Sequence, residues 1–178
     1  AQAGANAWSV FGTSVRMEYL LIPLIFGIGA PMVAMVGTNI GAGRGDRALK
    51  IAMAGAGLAF GVTETIGLAA AMFPHAWLTL FSAEPAMIET GSAYLRIVAP
   101  FYGFFGIGLS LYFAAQGAGR LFWPLIGGFV RVVIALGGGW IALRLCSSLS
   151  GLFAALAVAV VAYGVTVFAA VRSGLWLR

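Results

Sequence analysis

The chain has 178 residues, of which 62% are hydrophobic and only 8% charged, and its formal net charge is +5. A soluble domain carries roughly 25% charged residues, so this composition excludes an ordinary water-soluble protein. It also argues against nucleic-acid binding, which needs a basic face, because basic residues cluster only at Arg44, Arg47 and Lys50. The single Cys146 and the single His75 exclude an internal disulfide, a cysteine metal cage and a Ser/His/Asp triad, and we expect no enzyme.

Five long apolar segments fill most of the sequence. A bilayer core is about 30 Å thick and takes roughly 20 helical residues to cross. Within it only helices or closed barrels satisfy the backbone, so we predict an all-α, polytopic transmembrane helical bundle. The predicted spans are residues 7–40, 48–73, 92–117, 121–143 and 151–171. An odd bundle that opens inside apolar sequence is expected of a fragment, so we expect the natural chain to be longer.

The first segment combines helix-bending residues with small ones. Pro23 and Pro31 predict a kinked helix. Gly37 and Gly41 stand four residues apart, and the second segment repeats this spacing at Gly57 and Gly61, which lets helix backbones approach closely in lipid. The glycines that follow, at residues 41–45, lack the spacing and the Lys-Ser/Thr of a phosphate-binding loop.

The polar connections predict orientation. Residues 74–91 contain no Lys or Arg, which places them outside, with Trp77 as an interfacial anchor and Ser82 as the cap of a short helix starting at Ala83. Basic residues assigned to the inner side are Arg44, Arg47, Lys50, Arg120, Arg172 and Arg178, against Arg144 outside. The asymmetry predicts a cytoplasmic C-terminus in an integral protein of the bacterial cytoplasmic (inner) membrane.

The third and fourth spans contain helix breakers. Pro100, with Gly103 close behind it, interrupts the third, and Gly137–Gly139 form a predicted weak point in the fourth. Proline and glycine are common in membrane helices. The interruptions nevertheless favour a protein that changes shape over a static anchor.

Two ionisable residues lie deep in the predicted bilayer. Glu64 is about 21 Å from Lys50 and Arg131 about 16 Å from Arg120 along their helices. Charges at such depth usually face a cavity or a partner. A structural Glu64–Arg131 pair, a role in ion coupling or substrate attraction, and an unpaired, snorkelling arrangement are all open interpretations.

The remaining polar candidates are weaker. Glu18 either anchors the first helix at the interface or faces the mouth of a central cavity. The other polar residues could line a pathway, but interhelical hydrogen bonding is the simpler expectation. They are Asn39, Gln116, Tyr102 and Tyr112.

Several motifs resemble those of multidrug and toxic compound extrusion (MATE) transporters. One is the helix end 36–43 with the basic loop 44–48. A second is Tyr94-Leu95-Arg96-Ile97 leading to Pro100, followed by residues 116–119 and Pro124. The stretch 80–85 matches a loop of the family in type and position. The resemblance spans residues 1–172, and the order and spacing of these motifs carry it.

The resemblance implies a secondary antiporter with two six-helix lobes around a central cavity. Such a protein performs multidrug (xenobiotic) efflux of hydrophobic or cationic small molecules in exchange for protons or sodium, with no cofactor. Residues 1–178 would form part of the carboxy-terminal lobe, in contact with membrane lipid and with an amino-terminal lobe absent from this chain. Family members often carry an acidic residue in the helix matching 92–117, where this sequence has none. The coupling ion therefore stays open, as do two alternatives: a lipid-linked saccharide flippase and a non-transporting five-span subunit.

Overall fold

A computed structural model describes residues 2–80, 84–145 and 149–174, with side chains described for 21–80, 84–142, 144 and 149–174. Every regular element in these ranges is helical. The helices are α1 (Gln2–Gly41), α2 (Gly45–Met72), α3 (Pro74–Leu78), α4 (Pro85–Val98), α5 (Tyr102–Gly117), α6 (Phe122–Leu145) and α7 (Leu149–Arg172). A 3-10 turn, Ala99–Phe101, joins α4 to α5.

Five stretches are long and apolar enough to cross a membrane, which confirms the predicted helical bundle. They are Leu21–Gly41, Gly45–Met72, Pro85–Gly117, Phe122–Ala142 and Leu149–Arg172. The third span begins earlier than predicted. Its helix begins at Pro85 rather than residue 92, because proline fits the first helical position, where no backbone donor is needed. The predicted cap at Ser82 and helix start at Ala83 lie outside the described residues.

The third span is interrupted where the sequence predicts it. Pro100 has no backbone N–H, and the chain tightens there into a 3-10 turn before α5 resumes at Tyr102. The span therefore consists of two helices in series. This gives α5 an N-terminus of its own inside the bundle.

The fourth span is not interrupted, so the predicted weak point at Gly137–Gly139 is wrong. Helix α6 runs through all three glycines. A Cβ on Gly138 would lie 3.0 Å from the Ala155 Cβ, and one on Gly139 would lie 2.8 Å from Leu152 Cδ1, both on α7. Close packing against α7 therefore uses these glycines, and it outweighs their low helix propensity.

Helix α5 lies at the centre of the bundle, packed against α1, α2 and α7, while α6 packs mainly on α7. Small residues make the closest of these contacts. The buried stripe of α2 consists of Ala48, Ala52, Ala56, Ala59, Thr63, Gly67 and Ala70. Spaced three or four residues apart, these positions share one helix face and let the α2 and α5 backbones come close.

Of the predicted small-residue contacts, the one at Gly37 is confirmed, and those at Gly41, Gly57 and Gly61 are wrong. A Cβ on Gly37 would lie 3.0 Å from the carbonyl oxygen of Gly117, so α1 and α5 touch there. Gly41, Gly57 and Gly61 each face open space within the described part of the chain. The spacing on α2 therefore marks an exposed face of the helix rather than its contact with α5.

Candidate functional site

The Glu64 side chain of α2 reaches the N-terminus of α5. Its Oε2 accepts a hydrogen bond from the backbone N–H of Gly103, at 2.8 Å. Gly103 is the second residue of α5, so its N–H belongs to the first turn, which has no acceptor within its own helix. The carboxylate thus serves as a cap supplied by a neighbouring helix, and it lies at the positive end of the α5 dipole.

Glycine is needed at position 103 for this contact. A Cβ there would lie 2.6 Å from Glu64 Oε2 and 2.5 Å from Phe60 Cε2. Along α5, Gly103 stands about 21 Å from the helix end at Gly117, which puts the contact well inside the span. Within the described ranges, no three His, Cys, Asp or Glu side chains converge as metal ligands would. The site is therefore a single carboxylate held by a helix end.

A direct Glu64–Arg131 pair is not what the structure shows. The Arg131 guanidinium carbon lies 5.1 Å from the ring centre of Phe105, within cation–π range. Gly103 and Phe105 are two residues apart on α5, so they point about 200° apart around the helix. The described contact of Glu64 and that of Arg131 are therefore with opposite faces of α5.

Arg131 lines a groove of about 670 Å³ between α5, α6 and α7. Tyr112 and Tyr163 line it as well. The Tyr163 ring is buried against two positions without side chains, Gly108 and Gly127. The groove therefore combines one cation, two phenol hydroxyls and apolar walls.

The other predicted polar residues do not join these sites. Asn39 Nδ2 donates to the Met35 carbonyl of its own helix at 2.7 Å, so this described contact is intrahelical rather than the expected interhelical bond. Gln116 is exposed near the end of α5, and Tyr102 is buried at its start. The side chain of Glu18 lies outside the described side chains, and its role stays a prediction.

Sequence reasoning missed Gly103, Phe105 and Tyr163. In the sequence, Gly103 indicates only a break in the helix. A helix that restarts after Pro100 also has free N–H groups in its first turn, and Gly103 lies in that turn. Phe105 is one of many aromatic residues in the chain. Tyr163 gave the one usable indication, because its phenol hydroxyl lies in a mostly apolar span.

Interrupted helices whose ends meet polar side chains inside a membrane bundle are typical of secondary transporters. The arrangement of α4, α5 and Glu64 fits that class of integral membrane protein. The chain belongs to the MatE family, whose pattern it matches over residues 1–141. This is a family of membrane transporters rather than enzymes.

Two curated relatives agree with this assignment. The chain is 26% identical over 130 residues to a Thermotoga maritima protein named "Probable multidrug resistance protein NorM", covering 73% of this chain and 28% of the relative. It is 23% identical over 131 residues to a protein of Shewanella oneidensis named "FAD transporter", covering 74% of this chain and 29% of the relative. The aligned region is thus under a third of either relative's length. No solved structure gives a significant match.

Proposed function

We propose that the natural protein is an antiporter that expels hydrophobic or cationic organic compounds in exchange for protons or sodium. The observation that carries this proposal is the Glu64 carboxylate at the α5 N-terminus. Intramembrane carboxylates are rare and mark ion or proton pathways. The relative from Thermotoga maritima, named a multidrug resistance protein, supports the substrate class.

The capped helix end offers a physical basis for ion coupling. A carboxylate accepting a backbone N–H forms a charge-assisted bond, roughly twice as strong as a neutral one. Protonation, or a cation taking the same oxygen, weakens the attraction between Glu64 and α5. Since binding and conformation are linked reciprocally, an ion at Glu64 would bias the position of α5 relative to α2. This is the requirement for an exchanger: the ion and the helices must influence each other.

Drug resistance of cells expressing the full-length protein tests the proposal. We expect Glu64→Gln to abolish resistance while the protein still reaches the membrane, because glutamine keeps an acceptor oxygen but cannot ionise. Asp46→Asn, at the first turn of α2 and far from the break, is the matched control and retains resistance. Wild-type resistance in Glu64→Gln removes Glu64 as the coupling group. Glu18→Gln in the same assay decides whether Glu18 contributes.

Reconstituted full-length protein distinguishes the coupling ions. Efflux of a fluorescent cation driven by a proton gradient alone supports proton exchange, and a requirement for sodium supports sodium exchange. If Glu64→Gln loses both proton-driven and sodium-driven efflux, the coupling ion of the wild type acts at the Glu64 carboxylate. Transport that needs neither gradient contradicts antiport.

The Arg131 groove favours a second candidate substrate class, aromatic anions. A guanidinium beside phenol hydroxyls and aromatic rings would attract an acidic, planar molecule and repel a cation. The name of the relative from Shewanella oneidensis, FAD transporter, refers to a molecule of this kind. Efflux of riboflavin phosphates that Arg131→Gln reduces, with cationic dye efflux unchanged, supports this candidate. If Arg131→Gln instead reduces cationic dye efflux and leaves riboflavin phosphate efflux unchanged, aromatic anions are excluded as the substrate class.

We also propose that the protein resides in the bacterial inner membrane with its C-terminus in the cytoplasm, and that an amino-terminal lobe completes the pathway. The loop Arg44–Lys50 and the basic residues of the tail support this orientation. A C-terminal tag on the full-length protein tests it. We expect the tag to be protected from protease in intact spheroplasts, and digestion from outside contradicts the orientation.

A further inference from the structure

A second groove, of about 790 Å³, lies at the other end of α2 from the basic loop. The end of α2, helix α3 and the first half of α4 form its walls. Its polar lining comes from His75, Glu89, Ser92 and Arg96. None of these residues belongs to the Glu64 site or to the Arg131 groove. The motif that contains Arg96 assigns it no role.

Three polar residues of α4 share one face. Glu89, Ser92 and Arg96 are spaced three and four residues apart, which aligns them along the helix. The two charges are therefore about 10 Å apart along the axis, with the serine between them. The Ser92 hydroxyl is buried and has no hydrogen-bond partner among the described residues. A buried polar group without a partner is uncommon and points to a bound molecule or water.

The depth of Arg96 places this face at the membrane boundary. Arg96 precedes Gly117 by a helical length of about 31 Å, against a hydrocarbon core of about 30 Å. Its guanidinium thus lies near the level of lipid phosphates, and Glu89 lies further out, at the level of the headgroup termini. His75 approaches from α3 on the opposite wall.

The apolar rim of the groove matches a molecule with acyl chains. Met72 is 67% exposed and Phe73 66% exposed, and both line the groove. A water-soluble ligand would gain little from such a rim, whereas lipid chains would cover it. The groove thus places apolar side chains beside charged ones, as binding of a phospholipid requires.

We propose that this groove binds a phospholipid whose headgroup carries a primary ammonium, as phosphatidylethanolamine does. Arg96 and Ser92 donate to the phosphate, since guanidinium groups suit phosphate geometry. Glu89 accepts from the ammonium, and Met72 and Phe73 contact the chains. This inference is independent of the transported substrate and of the coupling ion.

Native mass spectrometry of the full-length protein in detergent tests the proposal with three lipids of identical chains. We expect phosphatidylethanolamine to bind about tenfold more tightly than phosphatidylcholine, whose trimethylated nitrogen cannot donate to Glu89, and more tightly than phosphatidylglycerol, which lacks the amine. Glu89→Gln removes the preference for ethanolamine over choline. Arg96→Gln weakens all three lipids by about tenfold.

Two controls keep the result specific. Asp46→Asn and Arg120→Gln remove one charge of each sign at the opposite end of the bundle and leave the lipid preference unchanged. Equal binding of the three lipids to the wild type, or an unchanged preference in Glu89→Gln, overturns the proposal. Displacement of bound lipid by an equal concentration of glycerophosphoethanolamine, which has no chains, also overturns it in favour of a soluble ligand. If Arg96→Gln does not fold, the Glu89→Gln comparison alone decides.

Discussion

The two faces of α5 are built on different principles. Toward α2 the face is close-packed: Gly103 and Gly106 meet Phe60, Ala59 and Thr63, and the one carboxylate is held by a backbone N–H. Toward α6 the face is open, and Phe105 and Tyr112 line a groove that also contains Arg131. On the face toward α2, a backbone N–H holds the Glu64 carboxylate. On the face toward α6, the Arg131 guanidinium lies beside aromatic rings in an open groove.

The difference shows how one helix can serve both coupling and recognition. Small residues let α2 approach closely enough for Glu64 to reach an N–H inside the span. Large aromatic residues keep α6 away from α5 and leave room for a ligand. The following substitutions test whether the two faces behave as differently as their contacts indicate.

The largest effect is expected from Gly106→Leu. A Cβ at this position lies 2.8 Å from the Ala59 carbonyl oxygen, so a leucine forces α2 and α5 apart. We expect a loss of about 3 kcal/mol of stability, at the upper end of overpacking costs. Thermal unfolding of the purified full-length protein measures it. Gly128→Leu is the matched control in the groove, where nothing lies within 4 Å of a Cβ. Similar destabilisation by both variants contradicts the difference in packing between the two faces of α5.

The next effect concerns the helix cap. Glu64→Leu leaves the Gly103 N–H without its acceptor, and we expect a cost of about 2 kcal/mol. Glu64→Gln keeps an amide oxygen at the same place and costs less than half as much. Equilibrium unfolding of both variants in mixed micelles provides the measurement. Equal stability of the leucine variant and the wild type would mean that the bond contributes nothing to the fold.

A smaller effect is expected on the open face. Phe105→Leu removes the ring beneath Arg131, and cation–π contacts at partly exposed sites contribute about 0.5–1 kcal/mol. Phe129→Leu is the control, because Phe129 also lines the groove but is 69% exposed. A double-mutant cycle of Phe105→Leu with Arg131→Gln measures the interaction energy between the Phe105 ring and the Arg131 guanidinium. A coupling energy of zero contradicts the cation–π assignment.

The smallest effect is expected from Thr63→Val on the close-packed face. The Thr63 hydroxyl is fully buried but donates to the Ala59 carbonyl of its own helix, at 2.7 Å. Its loss leaves no interhelical donor unsatisfied, so we expect a change below about 0.5 kcal/mol. A larger loss in the same unfolding assay would mean that the hydroxyl also serves the contact with Gly106.

Much of this fold was predictable because the bilayer restricts it so strongly. Length and apolarity give the five spans, and Pro100 gives the break between α4 and α5. The continuity of α6 was not predictable, since the contacts of Gly138 and Gly139 with α7 exist only in the packed bundle. Depth counting selected Glu64 and Arg131 as the charges inside the predicted spans, and in the structure both side chains are half-buried. It could not give their contacts with Gly103 and Phe105, because depth says nothing about which helix face a side chain meets.

The measurement that tests the central claim most directly is the amide NMR signal of Gly103 in the full-length protein as the pH is lowered. If Glu64 Oε2 accepts this N–H, neutralising the carboxylate weakens the bond. The Gly103 shift then moves in the wild type and stays constant in Glu64→Gln. A Gly103 signal that ignores pH in the wild type, or moves equally in Glu64→Gln, contradicts the assignment of Glu64 as the ionisable cap of α5.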